Sequence, residues 1–275
     1  MIGVFDSGYG GLTVFSEIKK LLPEYDYLYL GDNARAPYGT RSFEVVYQYT
    51  WQAVEYLFSK GCNLVILACN TASAKALRQI QQCDLPKVWA KDGNTNKRVL
   101  GVIRPTVEKI GDYTRTGHVG LFATAGTVAS NSYPIELSHL YPELQVTQQA
   151  CPLWVPIIEA GEHENAGADW FVDKYVGQLL NADPLIDTII LACTHYPLLM
   201  DKIRKRVGDG VTLIAQGTIV AQSLQDYLRR HPEIEQGCTK GGTRHYLTTE
   251  SADKFMASAG IFLSEPIAAQ HVEMQ

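Results

Sequence analysis

The sequence predicts an α/β fold of two similar domains with mainly parallel sheets, related by a pseudo-two-fold axis, with a site in the interdomain cleft. Three observations predict it. Short β-branched and aromatic runs alternate with helical stretches, the grammar of parallel βα units. Two stretches also recur: "LVILACNTASA" from Leu64 matches "TIILACTHYPL" from Thr188, and "IGVFDSGYG" from Ile2 matches "VGLFATAGT" from Val119. The two matches are separated by similar lengths of chain, as a duplicated unit with a few inserted residues would be. Finally, 275 residues are enough to bury two cores of ordinary size.

In chain order, Ile2–Phe5, Tyr27–Leu30, Leu64–Ala68, Gly101–Ile103, His118–Phe122, Ile189–Ala192 and Val211–Ile214 read as strands. The helix after "PYGT" shows the connecting pattern. Thr40 is its expected N-cap, Phe43, Val46, Tyr47, Thr50, Val54 and Leu57 recur at helical spacing, and Gly61 ends it. The polar run "AKDGNTNKRV" from Ala90 reads as the crossing between units, and a second crossing is expected after Arg206. The expected domains are therefore 1–97 with 208–275, carrying Asp6 and Cys69, and 98–207, carrying Cys193 and His195.

Hydrophobic residues make up 46% of the chain and charged residues 19%, which indicates a globular protein and not a disordered one. The apolar runs are too short to span a bilayer, and Asp6 interrupts any signal-peptide core, so a cytoplasmic protein is expected. A net charge of -5 without a basic stripe argues against nucleic-acid and membrane partners. The 6 cysteines, Cys62, Cys69, Cys83, Cys151, Cys193 and Cys238, form no C-x-x-C pair and read as free thiols. Cys69, Cys193 and His195 have the residue types of a zinc site but not its usual spacing, leaving metal a minor alternative.

Ligands of open parallel sheets collect beyond the carboxyl ends of the strands. There the first repeat places Asp6 at the mouth of a glycine-rich turn, where a carboxylate would repel phosphate; the glycines instead suit close approach of another ligand. The second repeat places Cys69 and Cys193 at equivalent strand ends, each before a helix start, the setting in which a thiol's pKa is expected to fall. His195 lies two residues beyond Cys193, where a base for the thiol is wanted. Glu159, in "WVPIIEAGE", fits a helper of the site and a solvated helix residue equally well. "GDNARAPYG" offers Asp32, Asn33, Arg35 and Tyr38, and "ATAGTVASNSYP" offers Thr124, Thr127, Ser130 and Tyr133. Their polar groups suit a small carboxylate ligand, although "GDNARAPYG" reads equally as a surface turn. A hydrolase needs one nucleophile and an oxyanion hole, whereas two bases on opposite faces of one carbon suit inversion. A Cys-dependent amidase and a two-domain amino-acid-binding protein are the competing readings.

At this point the sequence resembles the glutamate racemases of bacterial cell-wall synthesis, through "GVFDSGYGGLTV", "YLGDNARAPYGTRS", "LVILACNTASA", "GVIRPTV", "ATAGTVASNSY", "CPLWVPIIEAGE" and "LACTHYPLL". The resemblance implies two α/β domains, no cofactor, no metal, a homodimer, and glutamate inversion for peptidoglycan synthesis. One thiolate would remove the α-proton while the opposed thiol reprotonates the other face. Cys69 and Cys193 would be the acid/base pair, Asp6 assisting Cys69, and His195 and Glu159 assisting Cys193. Asp6, Ser7, Tyr38, Gly39, Asn70, Thr71, Thr124, Thr194 and His195 would bind the amino acid. His195 stands where the related aspartate racemases carry Glu, which favours glutamate over aspartate. Arg104 and the Ala215–Gln216 pair of "LIAQG" depart from the acids usual at those places. The N-terminal extension of members activated by a peptidoglycan precursor is not seen, so that activation is not expected.

Overall fold

The computed structural model describes residues 1–274. Two parallel sheets carry the fold. The first has the order β10-β9-β2-β1-β3-β4 and the second β6-β5-β7-β8. In the first sheet β1 (Ile2–Asp6) lies between β2 (Tyr27–Gly31) and β3 (Leu64–Leu67), with β4 (Arg98–Gly101) outside β3. In the second, β5 (His118–Ala123) lies between β6 (Gln145–Ala150) and β7 (Thr188–Ala192), with β8 (Thr212–Ile214) outside β7. The spatial order is the same in both, and the repeated sequences occupy the same places: β1 answers to β5 and β3 to β7. The C-terminal segment adds β9 (Arg244–Thr248) and β10 (Ala269–His271) to the first sheet alone, through β2.

Strand membership departs from the expected boundaries at both crossings. The run from Ala90 does not cross between the sheets. The helix Leu85–Asp92 ends at Gly93, whose φ of 68° turns the chain back, and Arg98 N then donates to Asn63 O at 2.8 Å to start β4 beside β3. The strand expected at Gly101–Ile103 therefore lies three residues earlier, and Ile103 opens a helix. Val102 makes the first crossing. The return is likewise later than Arg206, because β8 first pairs with β7; Ala215 and Gln216 then lead into the helix Gly217–Arg230. Boundaries at 97/98 and 207/208 would cut β4 and β8 from the sheets they complete.

Helices cover both faces of each sheet. Leu12, Val14, Phe15 and Ile18 bury one side of α1 (Gly11–Leu21) against β1 and β2 and against the returning helix, which contributes Val220, Leu224 and Leu228. Full burial of a side chain such as Phe15 contributes about 1.5–3 kcal/mol. On the opposite face, α2 (Phe43–Ser59) buries Val46, Val54 and Leu57. Its N-cap is Ser42, which accepts from Val45 N, and not Thr40; Gly61 follows its end at φ 85°. Trp154 and Phe122 anchor one core of the second sheet, with ring centroids 4.9 Å apart.

Candidate active site

The carboxyl ends of β1, β3, β5 and β7 open into one cavity of about 740 Å3, part of it open to solvent. The first unit lines it with Ser7, Tyr38, Gly39, Cys69, Asn70 and Thr71. The second lines it with Thr124, Glu159, Cys193, Thr194 and His195. Residues scattered over almost two hundred positions of sequence are thus brought together by two copies of one strand order.

Cys69 follows β3 and caps the short helix α3 (Asn70–Lys75), its sulfur accepting from Ala72 N at 3.4 Å. Ser7 Oγ lies 3.3 Å from the same sulfur. Asp6 ends β1 and is 1% exposed; its Oδ2 accepts from Gly8 N at 2.9 Å, and its Oδ1 has no partner among the described residues. Burial raises the Asp6 pKa, against the lowering effects of His195 and of the backbone N–H groups of Gly11 and Gly8. The Cys69 thiol, expected to be lowered by its helix terminus, is instead pushed up to about 12. Burial dominates and Asp6 adds to it, outweighing the hydrogen bonds from Ser7 and Ala72. A single helical turn of N–H groups does not replace the water the thiolate loses.

Cys193 follows β7, and its sulfur lies 3.9 Å from His195 Nδ1. The other ring nitrogen, Nε2, is 2.9 Å from Glu159 Oε1, at the end of the helix Trp154–Glu159. Sequence alone left Glu159 between two readings; its carboxylate faces the His195 ring. Burial opposes the imidazolium, but hydrogen bonds to Cys193 and Glu159, and the charge of both, push the His195 pKa up to about 10. The ring is wedged against Phe262 from the C-terminal segment, edge-on at 5.2 Å between centroids.

The glycine-rich turn is explained by what crosses it. A Cβ on Gly10 would lie 2.3 Å from both His195 Nδ1 and Thr194 Oγ1, so only glycine lets the second unit come this close. Thr13 Oγ1 fastens the contact by donating to Thr194 O at 2.9 Å. The equivalent turn of the second unit does the same in reverse. Gly126 N donates to Gly39 O at 2.8 Å, and a Cβ there would lie 2.7 Å from that oxygen.

Other expected ligand groups serve the scaffold. Asp32 accepts from Arg35 Nε at 2.7 Å, from Tyr38 Oη and from Thr249 Oγ1 at 2.9 Å, bracing the loop that presents Tyr38 and Gly39. Of the hydroxyls after β5, Thr124 lines the cavity and meets Thr71 Oγ1 at 3.0 Å, whereas Thr127, Ser130 and Tyr133 stand behind it. Arg104 pairs with Glu108 at 2.7 Å and Glu136 at 3.1 Å, all within the second unit. No group of three His, Cys, Asp or Glu among the described residues is placed to hold a metal ion, including Cys69, Cys193 and His195. Lys75 escaped sequence reasoning: it is 7% exposed and reaches past Gly126 to donate to Arg41 O at 2.7 Å, under the same loop. Its only sequence signal is a cation ending a helix of otherwise small, uncharged residues.

The family model for Asp/Glu/Hydantoin racemase matches residues 2–224. A glutamate racemase of Ruegeria sp. (strain TM1040) is 43% identical over 276 residues, covering 97% of each chain. One from Geobacter metallireducens is 38% identical over 95% of this chain and 92% of its own. Among solved structures, a glutamate racemase isoform from Bacillus anthracis superposes with a TM-score of 0.89 at 35% identity, over 100% of this chain and 97% of that one. The Francisella tularensis glutamate racemase in complex with D-glutamate gives 0.84 at 29% identity, over 99% and 97%. Similarity that runs the length of sequence and backbone, and meets at a cleft with a thiol on each side, makes this chain a member of the Asp/Glu/hydantoin racemase family.

Proposed function

We propose that the chain is a glutamate racemase that interconverts L- and D-glutamate without cofactor or metal, by proton transfer between Cys193, the substrate Cα and Cys69. The observation that carries this is the pair of buried thiols brought to one cavity from equivalent strand ends of the two units. Relatives of 38–43% identity over nearly their whole length carry the same activity in their names. For L-glutamate, Cys193 acts as a thiolate beside the His195–Glu159 pair and takes the α-proton, and Cys69 delivers its own proton to the opposite face and is left as the thiolate. For D-glutamate the roles exchange, with Asp6 assisting Cys69. Ser7, Asn70, Thr71, Thr124, Thr194 and nearby backbone N–H groups receive the carboxylates, Tyr38 and Gly39 complete the walls, and Asp6, buried behind the lining, acts on the substrate ammonium through its charge. His195 favours glutamate over aspartate.

In the cell the product would supply peptidoglycan synthesis from the cytoplasm, with the chain working as a homodimer. No helix among the described residues is long and apolar enough to cross a membrane. Polarimetry of L-glutamate with chelator-treated, chromophore-free protein tests the activity: the rotation is expected to decay to zero, the racemic end point. Binding without decay would instead indicate an amino-acid-binding protein, and activity that zinc alone restores would overturn the two-thiol chemistry. Light scattering of the purified chain tests the dimer.

A further inference from the structure

Asn70 follows Cys69 directly and lines the cavity, yet its side chain is held from behind. Tyr133 Oη donates to Asn70 Oδ1 at 2.7 Å, Asn70 Nδ2 donates to Gln216 Oε1 at 2.7 Å, and Gln216 Nε2 donates to Tyr133 Oη at 2.7 Å. These bonds close a ring of three buried side chains: Asn70 is 2% exposed, Tyr133 0% and Gln216 3%. A ring of two amides and a hydroxyl satisfies itself in either direction, since each amide can turn over and the hydroxyl both donates and accepts.

The surroundings of Gln216 remove that freedom. Its amide nitrogen lies 3.2 Å from Val102 O and 2.8 Å from Thr106 Oγ1, and the Thr106 hydroxyl already donates to Val102 O at 3.0 Å. A backbone carbonyl can only accept. With Gln216 turned over, its oxygen would face Val102 O, two acceptors in contact in a buried place, and an available hydrogen bond would go unmade. The Val102 carbonyl therefore sets the direction of Gln216, Gln216 sets that of Asn70, and Tyr133 closes the ring. One Nδ2 hydrogen of Asn70 is committed to Gln216. The second has no acceptor among the described residues, and the ring fixes where it lies.

We propose that Gln216 is a positioning residue for substrate binding, which orients the Asn70 amide so that its free N–H serves an acceptor oxygen of the bound amino acid. This rests on the reading of Asn70 as a substrate-binding residue. Val102 and Gln216 are, moreover, the residues at which the chain crosses from one unit to the other and back, so the orienting ring is built where the two units are joined.

Steady-state racemisation of Gln216→Met, Tyr133→Phe and Asn70→Ala, singly and with Gln216→Met combined with Asn70→Ala, tests the proposal. Methionine keeps the length of Gln216 without its amide. Gln216→Met is expected to raise KM for both enantiomers about tenfold while kcat stays within about twofold, the signature of binding lost equally from ground and transition states. Tyr133→Phe should shift KM in the same direction by less. In the Asn70→Ala background Gln216→Met should add nothing, because it acts through Asn70. A folded Gln216→Met protein with unchanged KM and only a lower melting temperature overturns the proposal, as does an effect that adds fully to that of Asn70→Ala. If Asn70→Ala raises KM and Gln216→Met does not, the proposal alone fails; if Asn70→Ala leaves KM unchanged, the substrate-binding reading of Asn70 falls with it. Should Gln216→Met not fold, Tyr133→Phe decides by the same comparison.

Discussion

Around Cys69 the charge that acts most on the thiol is a carboxyl: Asp6 is buried, its Oδ1 has no partner among the described residues, and its charge adds to the burial that pushes the thiol up to about 12. Around Cys193 the partner is an imidazole, held by Glu159 and pushed up to about 10. The strand ends are equivalent and the electrostatics are not. A thiolate formed at Cys193 would lie beside the His195 ring, whereas one formed at Cys69 would lie beside the Asp6 carboxyl. The two units supply equivalent strand ends; in the proposed mechanism the side chains beside each thiol divide the labour between the two faces.

Removing either thiol should break the comparison most severely. Cys69→Ala and Cys193→Ala are each expected to lose racemisation by about a thousandfold or more. Residual α-proton exchange in deuterated water should be one-sided: L-glutamate only for Cys69→Ala, D-glutamate only for Cys193→Ala, followed by proton NMR. Near-normal racemisation by either variant would sink the two-thiol mechanism, and exchange of the opposite enantiomer would reverse the assignment of faces.

The next largest effect separates the assisting groups. His195→Gln and Asp6→Asn should each lower kcat/KM by about a hundredfold. The equilibrium between enantiomers in water is even-handed, so the loss in kcat/KM must be equal in both directions. The asymmetry shows instead in the primary isotope effect with α-deuterated substrate. It should grow more for L-glutamate in His195→Gln and more for D-glutamate in Asp6→Asn. Equal growth for both would mean that the two sides are not specialised.

Glu159→Gln tests a more distant link, because Glu159 acts through His195. It should cost about tenfold, with the Cys193-side isotope signature of His195→Gln in weaker form. An effect as large as that of His195→Gln would place Glu159 on the substrate itself.

The smallest effect is on stability. The folded pKa of His195, about 10, lies above its ordinary value of 6.5. The folded state then holds a proton the unfolded chain has released, so this contribution is fully present below about pH 6.5 and is lost as pH rises through about 10. Unfolding free energies from urea titrations across that window should fall by at most about 1.4 kcal/mol per pH unit from this group, and His195→Gln should flatten the slope. An unchanged slope would show that the Glu159–His195 pair does not carry the charge assigned to it.

The strand ends, the repeat and the two thiols were legible because each is written locally: an apolar run, a stop, a cysteine, twice over. The paired order of the sheets follows from that repetition. What escaped depends on partners far away in sequence. The run from Ala90 is polar enough for a crossing, yet Gly93 folds it back onto β3. Nothing in a short C-terminal run such as Arg244–Thr248 announces that it will pair with β2. The thiol expected to be acidic at a helix start is not, because sequence displays the helix and hides the burial. Lys75 and Gln216 act on carbonyls of Arg41 and Val102, groups that every residue has and no motif records.

The missing side chains at Gly10 and Gly126 have a consequence for how such a molecule can be rebuilt. Each glycine lies in one unit and is required by atoms of the other, His195 and Thr194 in one case and Gly39 and Lys75 in the other. The two units are therefore not independent at these places, since a methyl group gained by one must be matched by retreat in the other. A chimera that grafts the second unit of one racemase onto the first unit of another therefore inherits a fitting problem at these turns. Its success should follow from whether these turns and the groups that cross them were transplanted together, more than from the overall identity of the two parents.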